Sequence, residues 1–369
     1  MHTLTAPLTQ ASRQWATRPD DERFTSLLDM RDHFEALRAN SRAGVVPSRQ
    51  LRALAGDDSE HKSLLIQGPQ GNAVAPTHYA FGQLAALAGA PAGYLRSLPA
   101  ELAADNLNYG LHVQRDDAPV GVLLTRSGDT AALRAATGPN YGRVWNSDVT
   151  RALVDRFGDG VTGDFRVPGE FGQRVTVDKG NTTLYASDRD MFIFLADEDH
   201  RIELPNRRDG KTGTLARGFF VWNSEVGDAT LGVAMFLFDY VCKNRMVWGP
   251  AEYRELRVRH TVTAPDRFVR EVTPTLLEYS RSATAPIVAQ LTAAQARKVG
   301  DLDAFLKARK FTSAQSEAIQ KIHVAEEGRP MESLWDISTG ITAYARGKAF
   351  QNERVDLERV AGKVLDMAA

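Results

Sequence analysis

Between Ala229 and Phe238 the chain is apolar in both phases of a two-residue alternation, and no other stretch restricts the fold so tightly. Leu231, Val233, Met235 and Leu237 fall on one phase; Ala234, Phe236 and Phe238 fall on the other. A half-exposed strand alternates apolar with polar residues, so this one must be covered on both faces and lie inside a sheet. A second apolar run, Gly218–Asn223, precedes it, and the turn signal Asn223-Ser224-Glu225-Val226-Gly227-Asp228 joins the two. The block ends abruptly at Cys242-Lys243-Asn244-Arg245 and Trp248.

Other strand-like segments crowd the middle of the chain: Val120–Thr125, Thr130–Ala136, Phe165–Val167, Gln173–Val177, Thr182–Ala186, Met191–Ala196 and Leu256–Thr263. Turns such as Ser127-Gly128-Asp129 and Asp178-Lys179-Gly180-Asn181 separate them, which is the spacing of antiparallel hairpins rather than of strand–helix–strand units. One helix interrupts, Ser147–Phe157, with Ser147 as its expected cap. The flanks read as mainly helical, with one strand expected at Ser63–Gln67, ended by the Gly68-Pro69-Gln70-Gly71 turn. Asp20 is placed to cap a helix carrying Phe24, Leu27, Leu28, Phe34 and Leu37, and Thr77 to cap one carrying Phe81, Leu84 and Leu87. Toward the other end, Thr312 and Gln315 can form a capping box, with Ile319, Ile322 and His323 on the inner stripe. The expected fold class is α+β: a helical N-terminal region over residues 1–110, an antiparallel β-rich core over 111–264, and a helical C-terminal region over 265–369.

Composition narrows the classes of function. Apolar residues make up 43% of the chain and charged residues 25%, ordinary for a globular protein. No apolar run is long enough to span a membrane, so no membrane partner is expected. The first residues lack a basic segment followed by an apolar core, so no secretory signal is expected either. Cys242 is the one cysteine, which excludes an intramolecular disulfide. A cytoplasmic protein fits these features. The formal net charge is −1, so any nucleic-acid role must come from a local patch. One bias exists: Arg201–Arg270 holds twelve Lys or Arg against eight Asp or Glu, about +4.

Two constellations could carry chemistry. Asp188, Asp190, Asp197 and Asp199 are weak candidates for a two-metal nuclease site, since hard cations need several converging oxygens. No H-E-x-x-H motif, phosphate-cradling loop or nucleophile elbow accompanies them, so no catalytic residue and no cofactor is expected. The stronger set is basic and aromatic. Arg207, Arg208, Lys211 and Arg217 flank a Gly-rich turn; Lys243, Arg245 and Trp248 follow the central strand; Arg257 and Arg259 share a phase; Tyr141 and Arg143 form a third cluster. Cations that track phosphates, with aromatic rings as stacking platforms, are what single-strand binding requires.

The segments Pro76–Leu84 with Gly89–Arg96, Asn140–Asn146, and Asn223–Gly227 with Cys242–Arg245 resemble the phage- and plasmid-borne domain-of-unknown-function family numbered nine-three-two. The resemblance implies a phage or mobile-element setting and carries over no catalytic residue. The expected function is a non-catalytic single-stranded DNA-binding protein, acting in recombination or annealing and assembling as a homo-oligomer. The alternatives are a metal-dependent nuclease and a module that binds a host protein.

Overall fold

The computed structural model describes residues 18–57, 63–114, 117–168, 174–205, 212–239, 244–246, 255–348 and 351–368. The fold is α+β, with two sheets and a helical C-terminal stretch. A two-residue strand β1 (Arg23–Phe24) and helix α1 (Leu27–Ala39) come first. Ser26 caps α1 by accepting a hydrogen bond from the Asp29 amide at 3.1 Å. Asp20, the cap expected from the sequence, lies instead in a single 3-10 turn, Asp20–Glu22, before the chain extends through β1.

Six strands then build the smaller sheet: β2 (Ser41–Pro47), β3 (Arg52–Ala55), β4 (Leu64–Gln67), β5 (Ala73–Pro76), β6 (Pro119–Ser127) and β7 (Thr130–Thr137). Their spatial order is β2-β6-β7-β5-β4-β3, antiparallel except for β5 beside β7. Helices α2 (His78–Leu87) and α3 (Ala100–Tyr109) cover one face, where Leu84 and Leu107 meet Ile66, Val120 and Leu133. Thr77 caps α2 as expected, accepting from the Ala80 amide. Four strands therefore occupy 41–76; β4 is the strand expected at Ser63–Gln67, and the other three fall where helix is expected. The reason lies in β2, whose sequence Ser-Arg-Ala-Gly-Val-Val-Pro neither alternates nor ends in a hairpin turn. Its partner is β6, far along the chain, so only tertiary pairing makes it a strand.

The larger sheet holds β1 together with β8 (Phe165–Arg166), β9 (Leu184–Ala186), β10 (Met191–Asp197), β11 (Ile202–Leu204), β12 (Gly213–Asn223), β13 (Leu231–Asp239), β14 (Asn244–Met246) and β15 (Glu255–Val258). Every pairing in it is antiparallel. Residues 174–177, expected as a strand, form none. Strand β13 has β12 on one side and both β14 and β15, end to end, on the other. Its Leu231, Val233 and Met235 join Ile193, Leu195, Phe219 and Val221 in a core closed by Leu27, Met30 and Phe34 of α1 and by Val149 and Leu153 of helix α4 (Asn146–Phe157). Each such side chain contributes about 1.5–3 kcal/mol on burial. Ser147 does not cap α4: it lies inside the first turn, buried, and its Oγ accepts from Arg38.

Helices α5 (Thr273–Arg281), α6 (Ser313–Glu327), α7 (Leu334–Arg346) and α8 (Gln351–Asp366) follow. The Thr312–Gln315 capping box forms at α6. Trp335, Ile337 and Ile341 of α7 pack with Ile319, Leu215 and Leu237, so the C-terminal helices extend the cover over the same sheet face. His323 is buried on the inner stripe of α6.

Candidate nucleic-acid interface

The opposite face of the larger sheet is aromatic. Alternation sends Met191, Ile193 and Leu195 of β10 inward and turns Phe192 and Phe194 outward; in β12 it turns Phe220 and Trp222 outward, and in β13 Ala234 and Phe236. Among the described residues, the apolar cluster on this face consists of strand residues and Ala229, with no helix residue. The rings form a layer. Phe194 stacks on Phe220 at 5.4 Å between centroids, and Phe220 meets Trp222 at 5.2 Å and Phe236 at 6.5 Å.

One line crosses this face. Arg23 lies opposite Tyr185, Tyr185 opposite Phe192, Phe192 opposite Trp222, Trp222 opposite Gly232, and Gly232 opposite Arg257. Directly opposed residues of antiparallel strands share a face, so these positions form a transverse row. Five strand-to-strand steps span roughly 24 Å. Gly232 is part of the design: a Cβ there would stand 1.9 Å from Trp222 Cζ2, so the indole lies across its backbone. Gly218 admits the Phe236 ring in the same way, with a Cβ at 2.5 Å from Cζ. The Arg257 guanidinium reaches the Trp222 ring at 5.7 Å and Arg18 reaches Tyr185 at 6.0 Å. Arg257 is exposed, Tyr185 and Phe192 are half-buried, and Trp222 keeps 6% of its surface. The accessible members of the row are therefore Arg23, Tyr185, Phe192 and Arg257, with Arg23 half-buried and bonded to the Lys179 carbonyl at 2.7 Å.

Of the basic residues singled out from the sequence, the described ones do not all share one face. Arg207, Arg208, Lys211, Lys243 and Trp248 lie outside the described residues. Arg245 is described by its backbone alone, opposite Phe238. Arg257 and Arg259 are exposed. Arg217 is the correction. It is 5% exposed on the inner face, bound to Asp197 at 3.1 Å and to the carbonyls of Tyr279 at 3.2 Å and Ser280 at 2.9 Å, where it closes the C-terminus of α5. A phosphate cannot reach it. The acidic candidates also separate, because β10 runs between them. Asp190 is held by Arg18 at 2.8 Å before the strand. At the far end Asp197 is bound to Arg217, and Asp199 to Arg166 at 3.0 Å. Among the described residues no three His, Cys, Asp or Glu side chains converge as metal ligands would.

Tyr141 and Arg143 are half-buried at the rim of a polar node centred on the buried Glu225. Glu225 Oε2 accepts from Arg134 at 3.1 Å, its Oε1 accepts from the Asn146 amide at 2.8 Å, and its carbonyl accepts from Arg143. Tyr141 donates to the Ser224 carbonyl at 2.7 Å, Asn223 to the Val144 carbonyl at 2.8 Å, and Gln83 to the Val226 carbonyl at 2.7 Å. Burial pushes the Tyr141 hydroxyl well above its ordinary range and lowers Arg143 and the stacked His260. Gln83, Tyr141–Asn146 and Asn223–Val226, each from one of the three segments that carry the family resemblance, thus meet here and join the smaller sheet, α4 and the larger sheet. Glu225, Asn223, Ser224, Asn146 and Arg134 are buried in the node, while Gln83, Tyr141 and Arg143 are half-buried at its rim, and its hydrogen bonds tie the sheets to each other.

Sequence reading missed Tyr185, Phe192 and Trp222 as a set. The signal was present in Met191-Phe192-Ile193-Phe194 and Phe219-Phe220-Val221-Trp222, where aromatic residues recur on the phase opposite the aliphatic core. No family model, curated protein or solved structure matches the chain.

Proposed function

We propose that this chain binds single-stranded nucleic acid across the aromatic face of the larger sheet, without catalysis. The observation that carries the reading is the transverse row: two half-buried rings, Tyr185 and Phe192, with the exposed Arg257 at one end. Bases stack on the rings, which suits any sequence because every base has a π-face. Arg257 and Arg259 contact phosphate. The phage or mobile-element setting, and with it a role in recombination or strand annealing, comes from the family resemblance.

Titration of a fluorescein-labelled single strand at two salt concentrations tests the reading. Affinity should fall as salt rises, with a slope near 0.7 per phosphate contact, and Arg257→Ala should flatten that slope. Phe192→Ala should cost about 1–3 kcal/mol of binding, the worth of one stacked base. Salt-independent affinity, or an unchanged affinity in Phe192→Ala, would overturn the proposal.

A further inference from the structure

A sheet edge exposes unpaired amides and carbonyls, and the smaller sheet treats its two edges differently. The β3 edge is closed. Asn108 Oδ1 accepts from the Ala53 amide at 2.7 Å, and its Nδ2 donates to the Ala53 carbonyl at 2.9 Å. The His112 ring covers the Leu51 carbonyl at 2.6 Å. The β2 edge is open. Arg42, Ala43, Gly44 and Val45 are all exposed, and Val45 keeps 57% of its surface.

The register tells which groups are free. The Arg126 amide donates to the Asn40 carbonyl and the Ser48 amide to the Ala118 carbonyl, bracketing β2 at even-numbered positions. The pairing with β6 keeps one register from Ser41 to Pro47. Bonding to β6 therefore alternates through Arg42, Gly44 and Val46, and the amides and carbonyls of Ala43 and Val45 point away from the sheet. Pro47 ends the outward ladder, having no N–H to offer.

We propose that this edge pairs with the same edge of a second copy of the chain, antiparallel, about a two-fold axis at Gly44. The stretch is its own complement. Ala43 falls opposite Val45 of the second copy, and four N–H···O=C bonds form between the two outward residues of each chain. The two Gly44 residues face each other as a non-hydrogen-bonded pair, about 4.5 Å apart at Cα, with no side chains to crowd them. Each Arg42 falls opposite Val46, so the two guanidinium-bearing positions lie roughly 13 Å apart along the strands, beyond the Debye length of about 8 Å at physiological salt. The result is one continuous sheet running through both copies, and a bare edge is removed from each.

A disulfide trap tests the register. Gly44 has a φ that any residue adopts and nothing within 4 Å of a built Cβ, so G44C fits the fold. In a C242A background, G44C should oxidise to a covalent dimer under mild oxidant, because an opposed non-hydrogen-bonded pair lies within bridging distance. A43C should not, since Ala43 and its own mate stand two positions out of register, beyond the roughly 7 Å limit. Adding Val45→Pro to G44C should abolish the dimer while leaving circular dichroism unchanged, because that amide faces away from β6 and proline is tolerated there. Failure of G44C to cross-link, or equal cross-linking by A43C, would overturn the proposal. The A43C comparison decides even if the proline variant unfolds. A partner peptide on this edge would instead leave G44C monomeric.

Discussion

The indole of Trp222 lies across the bare backbone of Gly232, at the point where the aromatic row passes from β12 to β13. The two residues are direct neighbours in the ladder, and the close approach exists because position 232 lacks a side chain. Gly232→Ala must therefore displace the ring. Overpacking of this kind costs about 1–3 kcal/mol, and the shifted indole also loses its place beneath Arg257. A lowered Tm together with weakened single-strand binding is expected. Unchanged stability and affinity would show that the ring does not need the space.

Glu225 carries the node between the sheets. Its carboxylate is buried and bound to the Arg134 guanidinium, which is equally buried. Removing one partner of a buried ion pair strands the other charge, at about 3–5 kcal/mol. Glu225→Ala should lose that much in urea denaturation. Glu225→Gln keeps an acceptor for the Asn146 amide and should lose less. Both variants remove the charge that faces Arg134, so equal losses would show that the Asn146 bond adds nothing, and losses in both well below that range would contradict a role in compensating Arg134.

The inner face of the larger sheet was legible in the sequence, since Leu231, Val233 and Met235 declared a covered strand. The same rule could have placed Arg217. It shares a phase with Phe219 and Val221, so alternation already sends it inward, where it closes α5. Density of positive charge along the chain hid this, because proximity in sequence says nothing about which face a strand residue takes. Strand β2 was not legible at all. Its pairing depends on β6, and a short strand holding Gly44 and Pro47 gives no periodic signal. The node was visible only as three separate segments, because Gln83, Tyr141 and Glu225 meet through tertiary contacts that local spacing does not encode.

Glu22 gives a pH dependence. Burial raises its carboxyl to about 7, against the pull of Arg18 at 3.0 Å and with added push from Asp190, Asp188 and Asp21. Its ordinary value is 4.5. Between those values the folded chain holds a proton that the unfolded chain has lost, so the contribution of Glu22 to stability falls as pH rises through the window. Thermal melts of the wild type and Glu22→Gln from pH 4.5 to 7.5 check this: the variant should gain on the wild type as pH rises. Parallel curves would show that Glu22 titrates normally.

The most direct measurement is a photo-cross-link. An oligonucleotide carrying 5-iodouracil, bound to the protein and irradiated, joins to the aromatic ring on which that base stacks, and mass spectrometry locates the adduct. Adducts at Tyr185 and Phe192, lost on Phe192→Ala and on raising the salt, are the expected result. Adducts confined to other parts of the chain, or none under conditions where the oligonucleotide is bound, would contradict binding across this sheet.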